Sequence, residues 1–248
     1  MDTLRSYQDR FADLPGWFTE DSAVIWDCLL AWQKQQRIKG HAFEIGVYHG
    51  KSAAMTCLHL RPQEQLVLVD PYRLDSVRTM LAGIRADNIV SYPCVSSRLP
   101  MTEILALSGQ CRWVHVDGEH TGSACAHDLA LADRLLDDRG VLVVDDFMSP
   151  RYPQVAAAVF QYLQAHPFSL RMFLCGFFKA YLARPKHVAG YLSFVRDELG
   201  AQLRQRDYAE RISFFKTTVP EDYNCFGMGR FEGKELIGLD WDKDRILI

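Results

Sequence analysis

The fold can be read outward from one stretch, Phe43-Glu44-Ile45-Gly46-Val47-Tyr48-His49-Gly50-Lys51-Ser52. The apolar run over residues 42–47 predicts a short buried strand, and the small and apolar residues from Ser52 onward predict a helix. Gly46 and Gly50 lie between the two, and because glycine lacks a Cβ it permits a sharp turn and close approach of a ligand. Strand, glycine turn and helix in this order predict the start of a nucleotide-binding α/β fold.

Acidic residues recur at the ends of the predicted strands that follow. Glu44 belongs to the first strand, Asp70 ends the second, Asp117 ends the fourth, and Asp145 with Asp146 ends the fifth. One such acid can simply cap the next helix, where the helix dipole favours a negative charge. That explanation accounts poorly for the whole set, because like charges that cluster repel each other unless a cation or a ligand offsets them.

Helical periodicity fills the segments between these strands. The predicted helices cover residues 74–84, 99–107, 121–136 and 152–165. Strands that alternate with helices form a parallel sheet covered on both faces. Ligands of such sheets bind beyond the carboxyl ends of the strands, so the acids are predicted to lie at the ligand-binding edge.

Three regions are predicted along the chain. Residues 1–40 form an N-terminal helical cap, residues 41–185 form the core, and residues 186–248 form a C-terminal extension that serves as a lid or an oligomer contact. Within the core, residues 170–178 and 180–183 predict an antiparallel pair of strands. The last part of the extension, residues 225–248, has too many apolar residues for a disordered tail.

Two elements are predicted within the extension. Residues 187–208 carry an apolar face at helical spacing and predict one helix, and residues 211–219 alternate enough for a strand or a loop. The sequence does not choose between a lid and a subunit contact for this region, so a homo-oligomer stays open.

Composition restricts the class of protein. The chain has 248 residues, a net charge of −3 and 48% hydrophobic residues, which fits a soluble α/β domain without a nucleic-acid surface. Seven cysteines without a C-x-x-C pair favour reduced thiols over a disulfide framework. The sequence shows no signal-peptide core and no apolar run of membrane-spanning length. We therefore expect a cytoplasmic protein with neither a nucleic-acid nor a membrane partner.

The motifs together resemble those of a known family. The segments that carry the resemblance are Glu44 to Ser52, Asp70, Val116-Asp117-Gly118-Glu119-His120 and Gly140 to Asp146. They are similar to class I S-adenosylmethionine-dependent methyltransferases, and most similar to divalent-cation-dependent O-methyltransferases of the macrolide-sugar (macrocin and mycinamicin) type. The resemblance implies a Rossmann-like α/β fold with a mostly parallel, seven-stranded sheet and helices on both faces.

The resemblance also implies how the cofactor binds. Glu44, Gly46 and Gly50 would line the methionine and ribose side of S-adenosylmethionine, and Asp70 would accept hydrogen bonds from the ribose hydroxyls. Ser97, near the exit of the third strand, is a candidate contact to the adenine. Further cofactor contacts are expected from Tyr48, Ser52 and Asp117.

A cation and a base complete the implied site. Asp117, Asp145 and Asp146 would hold Mg²⁺ or Mn²⁺, since hard cations prefer oxygen ligands. Asp117 and His120 are the predicted catalytic residues, and His120 would take the proton from the hydroxyl of a small acceptor such as a sugar, a phenol or a natural-product intermediate. A histidine that titrates near neutrality is a suitable base.

Several residues near these motifs have ordinary alternative interpretations. Glu119 is the rival base in the same loop, and His49 can pack or cap within the glycine turn. His115 lies inside a strand and is expected to belong to the core. Lys179 interrupts an apolar run and is expected to extend its ammonium to the surface.

Other classes of protein share part of the pattern. A nicotinamide dehydrogenase would use the glycine turn and Asp70, although it would not need the later acids and the full G-x-G-x-x-G is absent. A metal-dependent hydrolase would use the acids without the glycine turn. A non-catalytic cofactor-binding or assembly module would keep the glycines without needing His120.

Overall fold

A computed structural model describes residues 3–85, 87–208, 211–216, 225–230 and 245–246 of the chain. The helices are α1 (Thr3–Phe11), α2 (Glu20–Gln35), α3 (Lys51–Leu58), α4 (Leu74–Arg85), α5 (Met101–Leu107), α6 (Gly122–Leu135), α7 (Pro153–Ala165), α8 (Pro185–Asp197) and α9 (Leu199–Arg204). The strands are β1 (His41–Ile45), β2 (Leu66–Val69), β3 (Ile89–Tyr92), β4 (Cys111–Val116), β5 (Leu136–Val144), β6 (Arg171–Gly176), β7 (Lys179–Ala183), β8 (Ser213–Lys216), β9 (Phe226–Gly229) and β10 (Arg245–Ile246).

These strands form one sheet in the order β10-β8-β9-β6-β7-β5-β4-β1-β2-β3. The first five strands run parallel, β7 is antiparallel to β5, and the predicted antiparallel pairing of β6 with β7 is present. The Rossmann-like α/β fold with a mostly parallel sheet is thereby confirmed.

The predicted strand count of seven is wrong for the whole sheet, which has ten strands in the described part of the chain. The additional strands come from the C-terminal extension, where β9 pairs with β6 and β8 pairs with β9. Without them β6 would be an edge strand with unpaired backbone groups. The extension therefore continues the sheet. Its assignment as a lid or a subunit contact stays a prediction.

The single helix predicted over residues 187–208 is divided in the structure. Helix α8 ends at Asp197 and α9 begins at Leu199. The side chain of Glu198, between them, accepts a hydrogen bond of 3.3 Å from the indole nitrogen of Trp32 on α2. This long-range contact could not be foreseen from helical periodicity.

Helix α2, which lies within the predicted N-terminal cap, also packs into the hydrophobic core. Trp26 is fully buried and meets the rings of Trp113 and His115 on β4 edge to face, at 5.1 and 4.8 Å. Edge-to-face contacts of this kind stabilise aromatic packing beyond the burial of area. None of the described helices has both the length and the apolar character needed to cross a membrane.

The glycine turn depends on Gly46. Its φ is +78°, and a Cβ added there would lie 1.7 Å from the backbone oxygen of Asp117. The first glycine therefore lets the loop after β1 pass directly against the loop after β4. The turn and the residues after β4 thus form one continuous structure.

Gly46→Ala is expected to destabilise the protein by about 2–5 kcal/mol, because the left-handed backbone conformation and the overpacking against Asp117 add together. Gly109→Ala is the matched control, since Gly109 also has a positive φ, +67°, but nothing lies within 4 Å of an added Cβ. Its expected cost is about 1–2 kcal/mol, from the backbone alone. Urea denaturation measures both, and equal losses would contradict the tight contact between the two loops.

Candidate functional site

The parallel register brings the predicted acids to one edge of the sheet. The backbone N–H of Asp117 donates to the carbonyl of Ile45 at 2.8 Å, and that of Asp145 donates to the carbonyl of Val116 at 2.9 Å. Strands β1, β4 and β5 therefore end side by side. The residues that follow them share the space where ligands of such sheets bind.

Asp70 holds the glycine turn through its carboxylate. Its Oδ2 accepts hydrogen bonds from the backbone N–H groups of Val47 and Tyr48, at 2.7 and 3.0 Å. Its Oδ1 accepts from the N–H of Tyr72 at 2.7 Å. Asp70 therefore fixes the turn directly, and Oδ1 keeps the capacity to accept another donor.

Glu44 is buried beneath the same turn. Its Oε1 accepts a 2.5 Å hydrogen bond from the hydroxyl of Ser52 on α3. Its Oε2 is buried without a hydrogen-bond partner. Glu44 and Ser52, two of the predicted cofactor residues, therefore contact each other.

A chain of buried charged groups continues from Glu44 under the site. His115 lies with Nδ1 3.4 Å from Glu44 Oε1 and with Nε2 3.4 Å from Asp145 Oδ2. The ammonium of Lys179 lies 2.5 Å from the same Asp145 oxygen. Two acids and two basic side chains therefore alternate from β1 across β4 and β5 to β7.

This arrangement corrects one expectation and extends another. His115 is buried, as predicted, but it also connects two acids of the site. Lys179 does not extend to the surface, because its side chain is only 2% exposed and its ammonium contacts Asp145. The carboxylate offers the buried ammonium the partner that it needs.

The charged groups of this chain alter each other's ionisation. Burial opposes the charged form of Asp145, but Lys179 and His115 outweigh it and hold the pKa of Asp145 far below its ordinary value. Burial likewise opposes the imidazolium of His115, but Asp145 and Glu44 outweigh it and raise the pKa of His115 to about 9.

A second group of charges lies at the mouth of the site. His120 Nε2 is 2.7 Å from Asp146 Oδ2 and 3.4 Å from Asp117 Oδ1. The imidazole stacks on the ring of Tyr152 at 4.1 Å, which fixes the plane of His120. We call Asp117, His120 and Asp146 the mouth cluster.

Neighbouring charges also shift the groups of the mouth cluster. The carboxylates of Asp117 and Asp146 raise the pKa of His120 to about 10. Burial and the negative charge of Asp145 raise the pKa of Asp117 to about 6. His120 therefore carries its proton at neutral pH as long as no other cation engages the two carboxylates.

Two overlapping groups of side chains offer ligand atoms within 4.8 Å of one another. One group is His115, Asp117 and Asp145, and the other is the mouth cluster. Asp117 belongs to both, so the predicted set of three carboxylates is divided between them. In the first group, Lys179 already contacts Asp145.

The other candidate residues have the following positions. Ser97 is exposed in a short 3-10 turn over Ser96–Arg98, and the neighbouring Ser96 is the one that donates to Asp128, at 2.5 Å. Glu119 is exposed beside the mouth cluster. His49 contacts the guanidinium of Arg73 at 2.9 Å. The roles of these residues toward a ligand stay predictions.

The sequence did not predict that Trp17 and Tyr48 form an aromatic pair at the glycine turn. Tyr48 has a positive φ of +50°, and its ring stacks on that of Trp17 at 5.6 Å. Trp17 is 83% exposed, although it is large and apolar. An exposed tryptophan before α2 gives no sequence signal by itself, because its neighbour Tyr48 is distant along the chain.

In sequence and in fold, the chain is similar to known methyltransferases. Residues 43–147 match the family described as methyltransferase domain, and no curated protein matches the whole sequence significantly. The structure is similar to that of the O-methyltransferase NovP, with a TM-score of 0.54 and 16% identity over 64% of this chain and 77% of that chain.

Two further structures have the same fold. The methyltransferase PaMTH1 of Podospora anserina, solved with SAH bound, has a TM-score of 0.53 and 16% identity over 74% of this chain and 88% of that chain. CalS11, a TDP-rhamnose 3′-O-methyltransferase of calicheamicin biosynthesis, has a TM-score of 0.51 and 15% identity over 73% and 92%.

The Rossmann-like fold, with acids at the carboxyl edge of its sheet, is that of a class I methyltransferase. The matched domain, over residues 43–147, confirms the predicted enzyme class, an S-adenosylmethionine-dependent methyltransferase. Identities of 15–16% to the solved structures show the shared fold alone, so the acceptor does not follow from them.

Proposed function

We propose that this enzyme transfers the methyl group of S-adenosylmethionine to a hydroxyl of a small molecule, with the help of a divalent cation. The observation that carries the proposal is the close contact of Gly46 with the backbone of Asp117. It joins the predicted cofactor turn to the mouth cluster. A methyl donor over the turn and a hydroxyl at the cluster would be neighbours, as methyl transfer requires.

The residues of the mouth cluster fit a divalent cation. Asp117 and Asp146 have partly exposed carboxylates, 34% and 26%, that would hold it through oxygen atoms, and both carboxylates face Nε2 of His120. Magnesium or manganese suits such carboxylate oxygen donors. A bound cation would supply a lowered pKa and a fixed orientation for the acceptor hydroxyl.

His120 is the residue proposed to remove the hydroxyl proton. Its ring is fixed by Tyr152, and its Nε2 faces the two carboxylates. The imidazole can accept a proton near neutral pH only when Asp117 and Asp146 are engaged by another cation, because both raise its pKa. This coupling would keep His120 from acting as a base before the site is complete.

Exposed apolar side chains surround the carboxyl edge and support an organic acceptor. Trp17 and Tyr48 stack at the glycine turn, and Phe178 is exposed in the β6–β7 turn. The carbonyl of Phe178 accepts from the N–H of Phe147, which connects that turn to the loop carrying Asp146. The similarity in fold to CalS11, a TDP-rhamnose 3′-O-methyltransferase, also favours a sugar hydroxyl as the acceptor.

The function is tested by measuring which cofactor binds and which product forms. S-adenosylmethionine should raise the melting temperature of the purified protein by mass action, whereas NAD should not. Mass spectrometry should then find a product heavier by one methylene group in a panel of sugar and phenolic hydroxyl compounds. Stabilisation by NAD alone would favour the dehydrogenase alternative instead.

Asp70→Ala is expected to weaken S-adenosylmethionine binding by about 1.5–3 kcal/mol, the scale of a hydrogen bond to a charged group. The loss would combine two effects, since Asp70 also holds the amides of Val47 and Tyr48. Asp70→Asn is the control, because an amide oxygen can still accept a hydrogen bond. Unchanged affinity of Asp70→Ala in calorimetry would remove Asp70 from the cofactor site.

A further inference from the structure

Lys179 contacts one of the acids predicted to bind the metal. The antiparallel register pairs Val144 with Ala180, so Asp145 and Lys179 follow as neighbours across β5 and β7. The ammonium lies 2.5 Å from Asp145 Oδ2 and 5.6 Å from the ring centre of Phe18. The side chain of Lys179 is buried, with 2% of its surface exposed.

Both oxygens of Asp145 are engaged by the chain itself. Oδ2 lies near Lys179 and His115, and Oδ1 accepts the backbone N–H of Asp146 at 2.9 Å. Together with Glu44, these side chains form a set in which two acids alternate with two basic side chains. Asp145 is therefore compensated without any added ion.

The negative charges of the mouth cluster are less completely balanced by positive side chains than the charge of Asp145 is. Asp117 and Asp146 share one imidazole, that of His120, and their carboxylates are more exposed than that of Asp145, which is 16% exposed. Two acids facing one cation leave a negative excess at the surface. A divalent ion from solution would be attracted there rather than to Asp145.

We propose that the ammonium of Lys179 occupies the place of a metal at Asp145, so that Asp117 and Asp146 alone supply the carboxylate ligands of the divalent cation. The inference rests on the proposed function in assuming that a cation binds at this edge. It differs from the set of three aspartates that the sequence predicts.

The proposal is tested by the affinity of the full chain for Mn²⁺ alone, measured by electron paramagnetic resonance of the free ion. The variant D145N/K179M removes the buried pair as a neutral unit, and it should change the Mn²⁺ affinity by no more than about threefold, within the error of additivity. Asp146→Asn should lower the affinity by about 10–100-fold, the range for losing an important group of a metal site.

Lys179→Met by itself frees the Asp145 carboxylate and removes a nearby positive charge. It should raise Mn²⁺ affinity by about tenfold or more, the direction that Coulomb attraction requires, whereas Lys179→Arg should not. A merely structural role of Lys179 would not increase affinity. If the wild-type protein binds no Mn²⁺, the proposal is overturned, because Asp117 and Asp146 then do not hold the ion by themselves.

The opposite result for the double variant would also overturn the proposal. If D145N/K179M loses as much Mn²⁺ affinity as Asp146→Asn, then Asp145 is a metal ligand. Circular dichroism checks that each variant is folded. Calorimetry with S-adenosylmethionine is run in parallel, so that a failure of the proposed methyltransferase function is distinguished from a failure of this assignment.

Discussion

His120→Ala is expected to lower turnover by about 10²–10⁴-fold, the usual contribution of a positioned general base, while S-adenosylmethionine affinity changes little. His120 lies 2.7 Å from Asp146 and 3.4 Å from Asp117, and its ring stacks on Tyr152. None of these three contacts involves a residue of the glycine turn. Single-turnover kinetics and cofactor calorimetry on the same variant measure the two effects separately.

Glu119→Ala is the matched control, because Glu119 is the neighbouring residue and is exposed in the same loop. It should keep nearly the turnover of the wild-type protein. If Glu119→Ala loses turnover and His120→Ala keeps it, the base has been assigned to the wrong residue. A large loss of Mn²⁺ affinity in His120→Ala would instead make His120 a metal ligand.

The pKa of His120 can be measured as a second test, and this measurement needs no methyl acceptor. Asp117 and Asp146 raise its pKa to about 10, so in the metal-free protein the imidazole should stay protonated throughout the neutral range. Asp146→Asn removes one of the two negative charges and should move the pKa downward. Nuclear magnetic resonance of the histidine ring follows the shift, and an unchanged pKa would contradict the coupling.

Removal of divalent cations with a chelator is expected to reduce methyl transfer by about 10²-fold or more, since a cation at an acceptor oxygen contributes several kcal/mol. Cofactor binding should remain, because Asp70 and the glycine turn are held by protein contacts alone. Adding Mg²⁺ or Mn²⁺ back should restore the rate. Activity assays and cofactor calorimetry before and after dialysis measure both outcomes.

Asp146→Asn is the matched variant for the chelation experiment. It should reproduce the loss of transfer even when Mg²⁺ is abundant, because the carboxylate that holds the ion is missing. Transfer at the full rate in chelator would show that the acids serve the structure or act without a metal. In that case Lys179 and His115 already account for the compensation of Asp145.

Local sequence patterns were sufficient for the core of the fold. The strand before Gly46, the alternating helices and the acids at strand ends all follow from short-range periodicity. Local patterns predicted less of the C-terminal extension. Three more strands join the sheet there, and the region predicted as one helix forms two helices, α8 and α9. Pairing with β6 and the contact of Glu198 with Trp32 involve distant partners, so no local window contains them.

The sequence by itself determined that the acids share one edge, because the carboxyl ends of parallel strands must lie together. It could not determine which positive charge each acid meets. Asp145 and Lys179 are far apart in the chain and become neighbours only because β7 pairs antiparallel with β5. A buried charge is stable only with such a partner, so the tertiary structure decided that Asp145 has its own cation while Asp117 and Asp146 face solvent with His120.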